Sequence, residues 1–348
     1  MLYHCVMFSI SRQDSKAIQG LAFLLMLFLH LFNRMQNVDL CTTFLSIKGI
    51  PLIHILTKGC GPVPFFVVLS GYGLYVAKFS IGTRLKRALR LYVFYWLTLI
   101  LFVGLGSYLN PVKYPGSVTK AVLNALGFYD TYNSETWFLL PYVLTSLLFG
   151  VYLEMMRYLG KKWILLISLV MTIAAQYLIS RIGVNGMPRL AYQLVLTAGF
   201  MFPFVLGMVL CDVSQNGVSS PKWQSFFSRS SLLLYKYNWF IYLFLLLFFI
   251  ADVVINNSLF HILFAFAVII LFPHIKKGKV AFAFLQEIGR KSMVMWLIHT
   301  YFCYYLFHDW IYGLKYPIVI YLVMLIITYI ASLPFYHVGG KIAKWLRI

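Results

Sequence analysis

The sequence has few charged residues for its length. Of its 348 residues only 11% are charged, whereas 61% are hydrophobic. A soluble domain has about 25% charged residues, because its surface faces water. This chain has too few to cover such a surface, so we expect an integral membrane protein. The aromatic share of 18% is typical of interface belts and packed membrane helices.

Acidic residues and paired cysteines are also scarce. The chain has nine Asp or Glu residues, and none lies in the interior of a predicted membrane span. Ion-coupled transporters usually carry carboxylates there as relays, so the pattern argues against such a transporter. None of the five cysteines forms a CxxC pair, so we predict no metal site. No cleavable signal pattern precedes the first apolar run.

Apolar segments define the expected architecture. A span needs about 20 mostly apolar residues, and no repeat or soluble domain is visible. The rule predicts an all-α, polytopic transmembrane bundle of about ten helices, forming one domain over residues 1–348. The predicted spans are residues 17–34, 60–77, 90–108, 136–155, 163–180, 191–211, 232–250, 257–273, 292–308 and 317–336.

Basic residues predict the orientation. With a cytoplasmic N-terminus, 21 of the 29 Lys and Arg residues fall on inner segments and the other 8 on outer ones. The positive-inside rule therefore predicts a multi-pass protein of the cell membrane with both termini cytoplasmic. The accumulation of Lys and Arg on cytoplasmic loops then accounts for the net charge of +20, and we expect the lipid bilayer but no nucleic acid as a partner.

The first span holds a candidate catalytic histidine. An imidazole within the membrane costs free energy unless it has partners, so His30 is a functional candidate. Gln19 lies eleven residues earlier, which places both side chains on one helix face, separated by a rise of roughly 16 Å. That stripe suits an extended ligand. A packing histidine bonded to a neighbouring helix explains His30 equally well.

Five basic residues lie in the segment 78–90, which we predict to be a cytoplasmic loop: Lys78, Arg84, Lys86, Arg87 and Arg90. Such a cluster can bind the phosphates of a nucleotide-like donor. Topology control and contact with anionic lipid are equally good explanations of the same charges.

The second span contains Ser70, Gly71 and Tyr72. Small residues let helix backbones approach closely, and a serine can hydrogen-bond across a helix interface. The pattern therefore favours helix packing. Ser70 has no His and carboxylate nearby in sequence, so a serine nucleophile is unsupported.

Two later spans carry polar residues that could line a site. Before the fourth span, Ser134 could cap the helix, while Glu135 and Trp137 could face a sugar on the outer side. The ninth span is expected to open near Ser292. His299 follows about 10 Å further along that helix and could pair with a polar face of another helix.

Taken together, these segments resemble the acyltransferase 3 family of membrane-bound acyltransferases. The matching pieces occur in the family order and at family spacings over nearly the whole chain. They are residues 19–22 leading to His30, residues 65–72, the basic segment running into residues 90–96, residues 137–139, and residues 289–292 leading to His299.

The resemblance implies a ten-helix bundle that transfers an acyl group, often acetyl, from cytoplasmic acyl-CoA to hydroxyls of envelope glycans. Acyl-CoA would be a co-substrate, with no bound cofactor, and the acceptor a glycan or lipid-linked sugar. His30 matches the family's essential first-helix histidine and would be the general base or the acyl acceptor. The donor-binding candidates are Lys16, Gln19, Arg84, Lys86, Arg87 and Arg90.

One departure from the family pattern concerns Gln19, because the family usually has an Arg eleven residues before the histidine. Lys16, one turn closer to the cytoplasm, could substitute for that charge. Gln19 also motivates one alternative, a catalytically silent family member. The other alternative is a polysaccharide flippase or polymerase, which would need a wide polar cavity or large outer loops.

Overall fold

The structure is a computed structural model that describes residues 9–183, 186–216 and 238–348. Nearly all of the regular structure in these residues is helical, which confirms the predicted all-α class. The described strands are β1 (Ser46–Ile47) and β2 (Ile50–Pro51), which pair antiparallel. Lys48 and Gly49 connect them with positive φ angles of 50° and 79°, as a two-residue hairpin turn of the primed type requires.

Eight helices make up the first half of the described chain. In order they are α1 (Arg12–Phe32), α2 (Met35–Val38), α3 (Leu52–Thr57), α4 (Val63–Ala77), α5 (Ile81–Leu109), α6 (Val118–Ala125), α7 (Leu139–Leu147) and α8 (Phe149–Leu159). A 3₁₀-helix, Ser134–Phe138, precedes α7.

The second half contains eight more helices. They are α9 (Lys161–Ile182), α10 (Arg189–Gly199), α11 (Met201–Asn216), α12 (Asn238–Ile255), α13 (Ser258–Leu271), α14 (Lys279–Thr300), α15 (His308–Tyr312) and α16 (Pro317–Trp345). A 3₁₀-helix, Phe272–His274, comes after α13, and a π-helix, Tyr301–Leu306, comes after α14.

Six of these helical stretches are long and apolar enough to cross a membrane, and the bent pair α7–α8 would be a seventh. The structure therefore supports a polytopic helical protein but not a clear count of ten spans. Two predicted spans correspond to the shorter apolar helices Val63–Ala77 and Ser258–His274. The predicted span 232–250 begins outside the described residues.

The basic segment 78–90 is mostly helical, so its prediction as a loop is wrong. Helix α5 begins at Ile81, because the Ser80 side chain accepts a hydrogen bond from the Thr83 amide at 3.3 Å and caps the helix. Four of the predicted donor-binding cations, Arg84, Lys86, Arg87 and Arg90, therefore lie on its first turns.

The ninth predicted span also begins earlier than expected. Helix α14 starts at Lys279, so Ser292 lies inside the helix rather than at its opening, and His299 lies in its last turn. The backbone then continues into the π-helix Tyr301–Leu306. Short π-helical segments are frequent at functional sites.

Glycines bring the central helices into backbone contact. Helix α1 packs along α14, and α4 packs along α11. A Cβ added at Gly20 would lie 2.0 Å from the Leu285 carbonyl oxygen, and one at Gly289 would lie 1.8 Å from that of Lys16. A Cβ added at Gly71 would lie 2.0 Å from the Phe204 carbonyl oxygen. Only glycine permits such close approach, as predicted for Gly71.

Three carboxylates, Asp14, Asp212 and Asp252, lie within the six candidate spans, just beyond the ends of the spans predicted from the sequence. Each is near a helix end and has a basic partner. Asp14 contacts Lys277 at 2.6 Å, Asp212 contacts Lys161, and Asp252 contacts His261 at 2.8 Å. Such pairing is what makes a buried carboxylate tolerable.

Candidate active site

A cavity of about 460 Å³ lies between α1, α4, α5, α7 and α14. It collects most of the residues that the sequence singled out, although they come from distant parts of the chain. The predicted residues that line it are Lys16, Gln19, His30, Ser70, Arg84, Arg87, Glu135, Trp137 and Ser292. Gln19 and His30 share it because both project from one face of α1, as their spacing predicts.

One end of the cavity is positively charged. Lys16, Arg84 and Arg87 line this end, and Glu135 is the single carboxylate in the cavity lining. The Lys16 ammonium donates to the Gln19 side-chain oxygen at 2.9 Å, so Gln19 holds Lys16 against the cavity. Arg84 Nη1 donates to the Leu147 carbonyl oxygen at 2.7 Å. This end suits a phosphate-bearing ligand.

Lys86 and Arg90 do not line the cavity. At 100° per residue they project from α5 roughly 200° and 240° away from Arg84, so both are exposed on another face. Lys86 instead donates to the Arg347 carbonyl oxygen at 3.0 Å. The basic segment therefore divides between the cavity and the surface.

Gly71 and Tyr72 also lie outside the cavity. Gly71 packs α4 onto α11, and the Tyr72 hydroxyl accepts from the Ile10 amide at 3.1 Å and lies 3.4 Å from the Ser214 hydroxyl. Both residues therefore hold helices together, whereas Ser70 faces the cavity.

His30 and His299 form a buried imidazole pair at the other end of the cavity. His30 Nδ1 lies 2.9 Å from His299 Nε2, and His299 Nδ1 lies 2.7 Å from the Trp296 carbonyl oxygen. A carbonyl only accepts, so His299 Nδ1 carries a proton. When His299 is neutral its Nε2 must accept from His30 Nδ1–H, which leaves His30 Nε2 with a free lone pair. His299 itself lies behind His30 and does not line the cavity.

Glu135 faces the free nitrogen of His30, with Oε2 3.5 Å from His30 Nε2. Its other oxygen lies 3.9 Å from Arg34 Nη2. The Trp296 indole donates to the Glu135 backbone carbonyl oxygen at 3.3 Å, and the Ser134 hydroxyl donates to Glu135 Oε1 at 3.2 Å. The carboxylate therefore lies where it can stabilise a positive charge that forms on His30.

The turn that carries Glu135 is capped by Asn133 rather than by Ser134. The Asn133 side-chain oxygen accepts from the Glu135 amide at 3.1 Å and from the Thr300 hydroxyl at 2.9 Å. Ser134 is occupied elsewhere, since its hydroxyl lies 2.7 Å from that of Tyr305. These bonds connect the turn to α14 and to the π-helix.

The sequence analysis missed Tyr304 and Arg34. The Tyr304 hydroxyl donates to the His30 carbonyl oxygen, its ring stacks 6.1 Å from the His30 ring, and the Arg34 guanidinium lies 3.7 Å from the Tyr304 ring centroid. Arg34 lies four residues after His30 and within the predicted span 17–34, a spacing that could have identified it. Nothing in the local sequence marks Tyr304, because its position depends on the π-helix.

A lysine closes the outer edge of this cluster. Lys113, in the loop after α5, places its ammonium 3.4 Å from the Tyr305 ring centroid. Burial, together with the nearby charges of Lys120 and Arg34, lowers the pKa of Lys113 from 10.5 to about 8. Its charge therefore changes within a few pH units of neutrality.

Comparison with family models gives a match over nearly the whole chain. No curated protein and no solved structure matches the chain. The family model of the acyltransferase domain matches residues 13–337, a range that includes the cationic end, the imidazole pair and Glu135. Since the match covers nearly the whole chain, the protein belongs to the acyltransferase 3 family and is a membrane acyltransferase.

Proposed function

We propose that this protein transfers an acyl group, most simply acetyl, from acyl-CoA to a hydroxyl of a cell-envelope or exopolysaccharide sugar. The observation that carries the proposal is a cavity with two chemically different ends. Cations line one end, and an imidazole with a free nitrogen lies at the other. The family supports acyl transfer, and the two ends supply a site for the donor phosphates and a base.

The donor would lie along α1. Lys16, Arg84 and Arg87 would bind CoA phosphates at the end that the charge distribution predicts to be cytoplasmic. The pantetheine arm would run along the face of α1 from Gln19 to His30, over a rise of roughly 16 Å. Its thioester would then reach the imidazole, where Glu135 and Trp137 also line the cavity.

The transfer step depends on the tautomer of His30. Its Nε2 would remove the proton from the acceptor hydroxyl while the oxygen attacks the thioester carbonyl carbon. As the C–S bond breaks, the CoA thiolate leaves and takes that proton from His30, so the imidazole is regenerated. His299 would hold His30 through Nδ1, and Glu135 would stabilise the transient imidazolium. Attack by His30 itself on the thioester uses the same nitrogen.

The Gln19 departure bears on donor affinity. In place of the family's arginine, the cavity presents the Lys16 ammonium, which Gln19 positions through a 2.9 Å hydrogen bond. A lysine binds phosphate as a point charge and lacks the bidentate geometry of arginine. This contact favours an active enzyme over a silent one.

The proposal is tested on envelope polysaccharide from a strain that lacks the gene, with and without a plasmid copy. Proton NMR before and after mild alkali, which removes O-acyl esters, measures the gene-dependent acyl signal. Wild type and the control His337→Ala, which changes an exposed histidine of α16, should restore that signal. His30→Ala should insert into the membrane but not restore it.

Other results would refute the proposal. An unchanged acyl signal with altered polysaccharide amount or chain length would indicate a flippase or polymerase. No change in either would indicate a silent protein. Full activity of His30→Ala would refute the catalytic assignment alone.

A further inference from the structure

A second cavity of about 530 Å³ lies beside the first. It is bounded by α3, the loop after it, the start of α4, parts of α9, α10, α11 and α13, and the turn before α13. The two cavities share five lining residues: Leu29, Asn33, Pro62, Val63 and Trp137. Leu29 precedes His30 on α1 and Asn33 caps the end of that helix, so the shared wall lies next to the imidazole. A ligand in the second cavity would therefore lie beside the residues that flank His30.

An acid–imidazole pair faces this cavity. Asp252 is fully buried, and its Oδ1 lies 2.8 Å from Nδ1 of His261, which lines the cavity. The carboxylate accepts the Nδ1 proton, so in the neutral ring Nε2 presents a lone pair. That nitrogen makes no hydrogen bond to any residue that the structure describes. Nothing in the proposed chemistry at His30 uses this pair.

Two glycines fix the pair in place. A Cβ added at Gly61 would lie 2.7 Å from His261 Cγ, so the imidazole rests directly on the loop backbone. A Cβ at Gly59 would lie 2.7 Å from a methyl carbon of Val253, beside Asp252. The loop and the α12–α13 hairpin therefore close against each other only because these positions lack side chains. The His261 ring is therefore held by the loop backbone at Gly61 on one side and by the Asp252 carboxylate on another.

The lining indicates the chemistry of the ligand. Lys58 is the single Lys or Arg among the lining residues. The other polar side chains besides His261 are mainly neutral, and they include His54, Thr57, Gln176, Asn256 and Ser258. A phosphate-bearing ligand would need several cations. Neutral donors and acceptors beside the apolar faces of Trp137 and Phe200 suit a neutral polyhydroxylated ring, whose hydroxyls hydrogen-bond and whose apolar face packs on an aromatic ring.

We propose that the second cavity binds the sugar ring of the acceptor, with a hydroxyl donating to His261 Nε2 and Asp252 orienting the imidazole. The assignment rests on the proposed acyltransferase function and adds where the acceptor binds. The acceptor would enter the second cavity, whereas the donor occupies the first, and the shared wall at Asn33 and Trp137 would be where the two substrates meet.

The test uses purified protein in nanodiscs with radiolabelled acetyl-CoA. The acceptor probe is polysaccharide from the gene-deleted strain after mild alkali has removed its esters. The double variant Asp252→Asn/His261→Gln removes the imidazole without leaving a buried charge unpaired. We expect it to raise the KM for polysaccharide at least tenfold, with the KM for acetyl-CoA changed less than twofold and thermal stability retained.

The matched control is Asp309→Asn/His308→Gln. It removes a carboxylate–imidazole pair with the same 2.8 Å separation, outside the lining of both cavities, and should leave both KM values unchanged. A further variant, Gly61→Ala, displaces the His261 ring and should raise the KM for polysaccharide in the same direction.

Three results would overturn the assignment. An unchanged KM for polysaccharide in the folded double variant would place the acceptor elsewhere. Equal rises in both KM values would indicate a structural role for the pair. If wild-type protein transfers no label to polysaccharide, the proposed function itself fails, and the acceptor assignment fails with it.

Discussion

The contact between α1 and α14 leaves no room for a methyl group, and this predicts a large effect of a small substitution. A Cβ at Gly289 would lie 1.8 Å from the Lys16 carbonyl oxygen, whereas such atoms stay at least 3.0 Å apart. Gly289→Ala must therefore separate the helices locally by about 1.2 Å, the difference between these distances. Overpacking of this kind costs about 1–3 kcal/mol.

The same displacement reaches the imidazole pair. His30 and His299 belong to these two helices and are joined at 2.9 Å. If half of the displacement, about 0.6 Å, is transmitted, the separation reaches 3.5 Å, where a hydrogen bond is nearly lost. A misplacement of about 1 Å can cost about 10²-fold in rate. For the smaller displacement of about 0.6 Å we therefore expect Gly289→Ala to lower kcat by about tenfold or more and to lower the melting temperature.

The assay measures acetyl transfer and thermal unfolding on the same purified samples. Gly73→Ala and Gly104→Ala are matched controls, because an added Cβ at either position meets nothing within 4 Å. Both controls should retain activity within twofold. Wild-type activity and stability in Gly289→Ala would refute the reasoning, since the helices would then accommodate the methyl group without moving His30.

Three further predictions concern single side chains. His299→Asn should lower kcat by roughly 10²-fold and leave the KM for acetyl-CoA nearly unchanged. Equal changes in kcat and in this KM would indicate a structural role for His299. Lys16→Ala should raise the KM for acetyl-CoA about tenfold, as loss of one charge-assisted bond implies. The control Lys315→Ala, in the loop before α16, should not raise it, and a normal KM in Lys16→Ala would exclude Lys16 from donor binding. The pKa of Lys113, lowered to about 8 by burial and by Lys120 and Arg34, should be visible by NMR of ¹³C-methylated protein and should rise in Lys120→Gln. Between pH 8 and 10.5 the unfolded chain binds more protons at Lys113 than the folded chain does, so the free energy of unfolding should increase with pH across that window. Titration of Lys113 near 10.5 in the folded protein would contradict this prediction.

Local periodicity predicted the parts of the site that lie on one helix. Gln19 and His30 share a cavity because eleven residues nearly complete three helical turns, and this depends on α1 alone. The basic segment 78–90 shows the limit of reading charge. Its many charges suggest a loop, although Ser80 is a good helix cap. Because the segment is helical, Arg84 and Arg87 project toward the cavity, whereas Lys86 and Arg90 project away from it.

Pairings between helices were beyond the sequence. His299 lies 269 residues after His30, and their bond depends on which helices pack together. Gly20 and Gly289 permit that packing without specifying it. The predicted span 232–250 ends before Asp252, and no pattern in the sequence marks His261 as its partner. Their contact requires the α12–α13 turn, which hydropathy does not locate.

The π-helix after His299 makes the site sensitive to residue count as well as residue type. A π-helical segment holds one residue more than an α-helix would at that position. Deleting one residue from Tyr301–Leu306 would let the segment close as an α-helix, so that its side chains would shift by one position relative to His30 and Ser134. Tyr304 would leave the His30 carbonyl and Tyr305 would leave Ser134, with no other side chain altered. A change of one residue in the length of this segment would thus reshape the end of the cavity beside the imidazole pair, although both histidines stay the same.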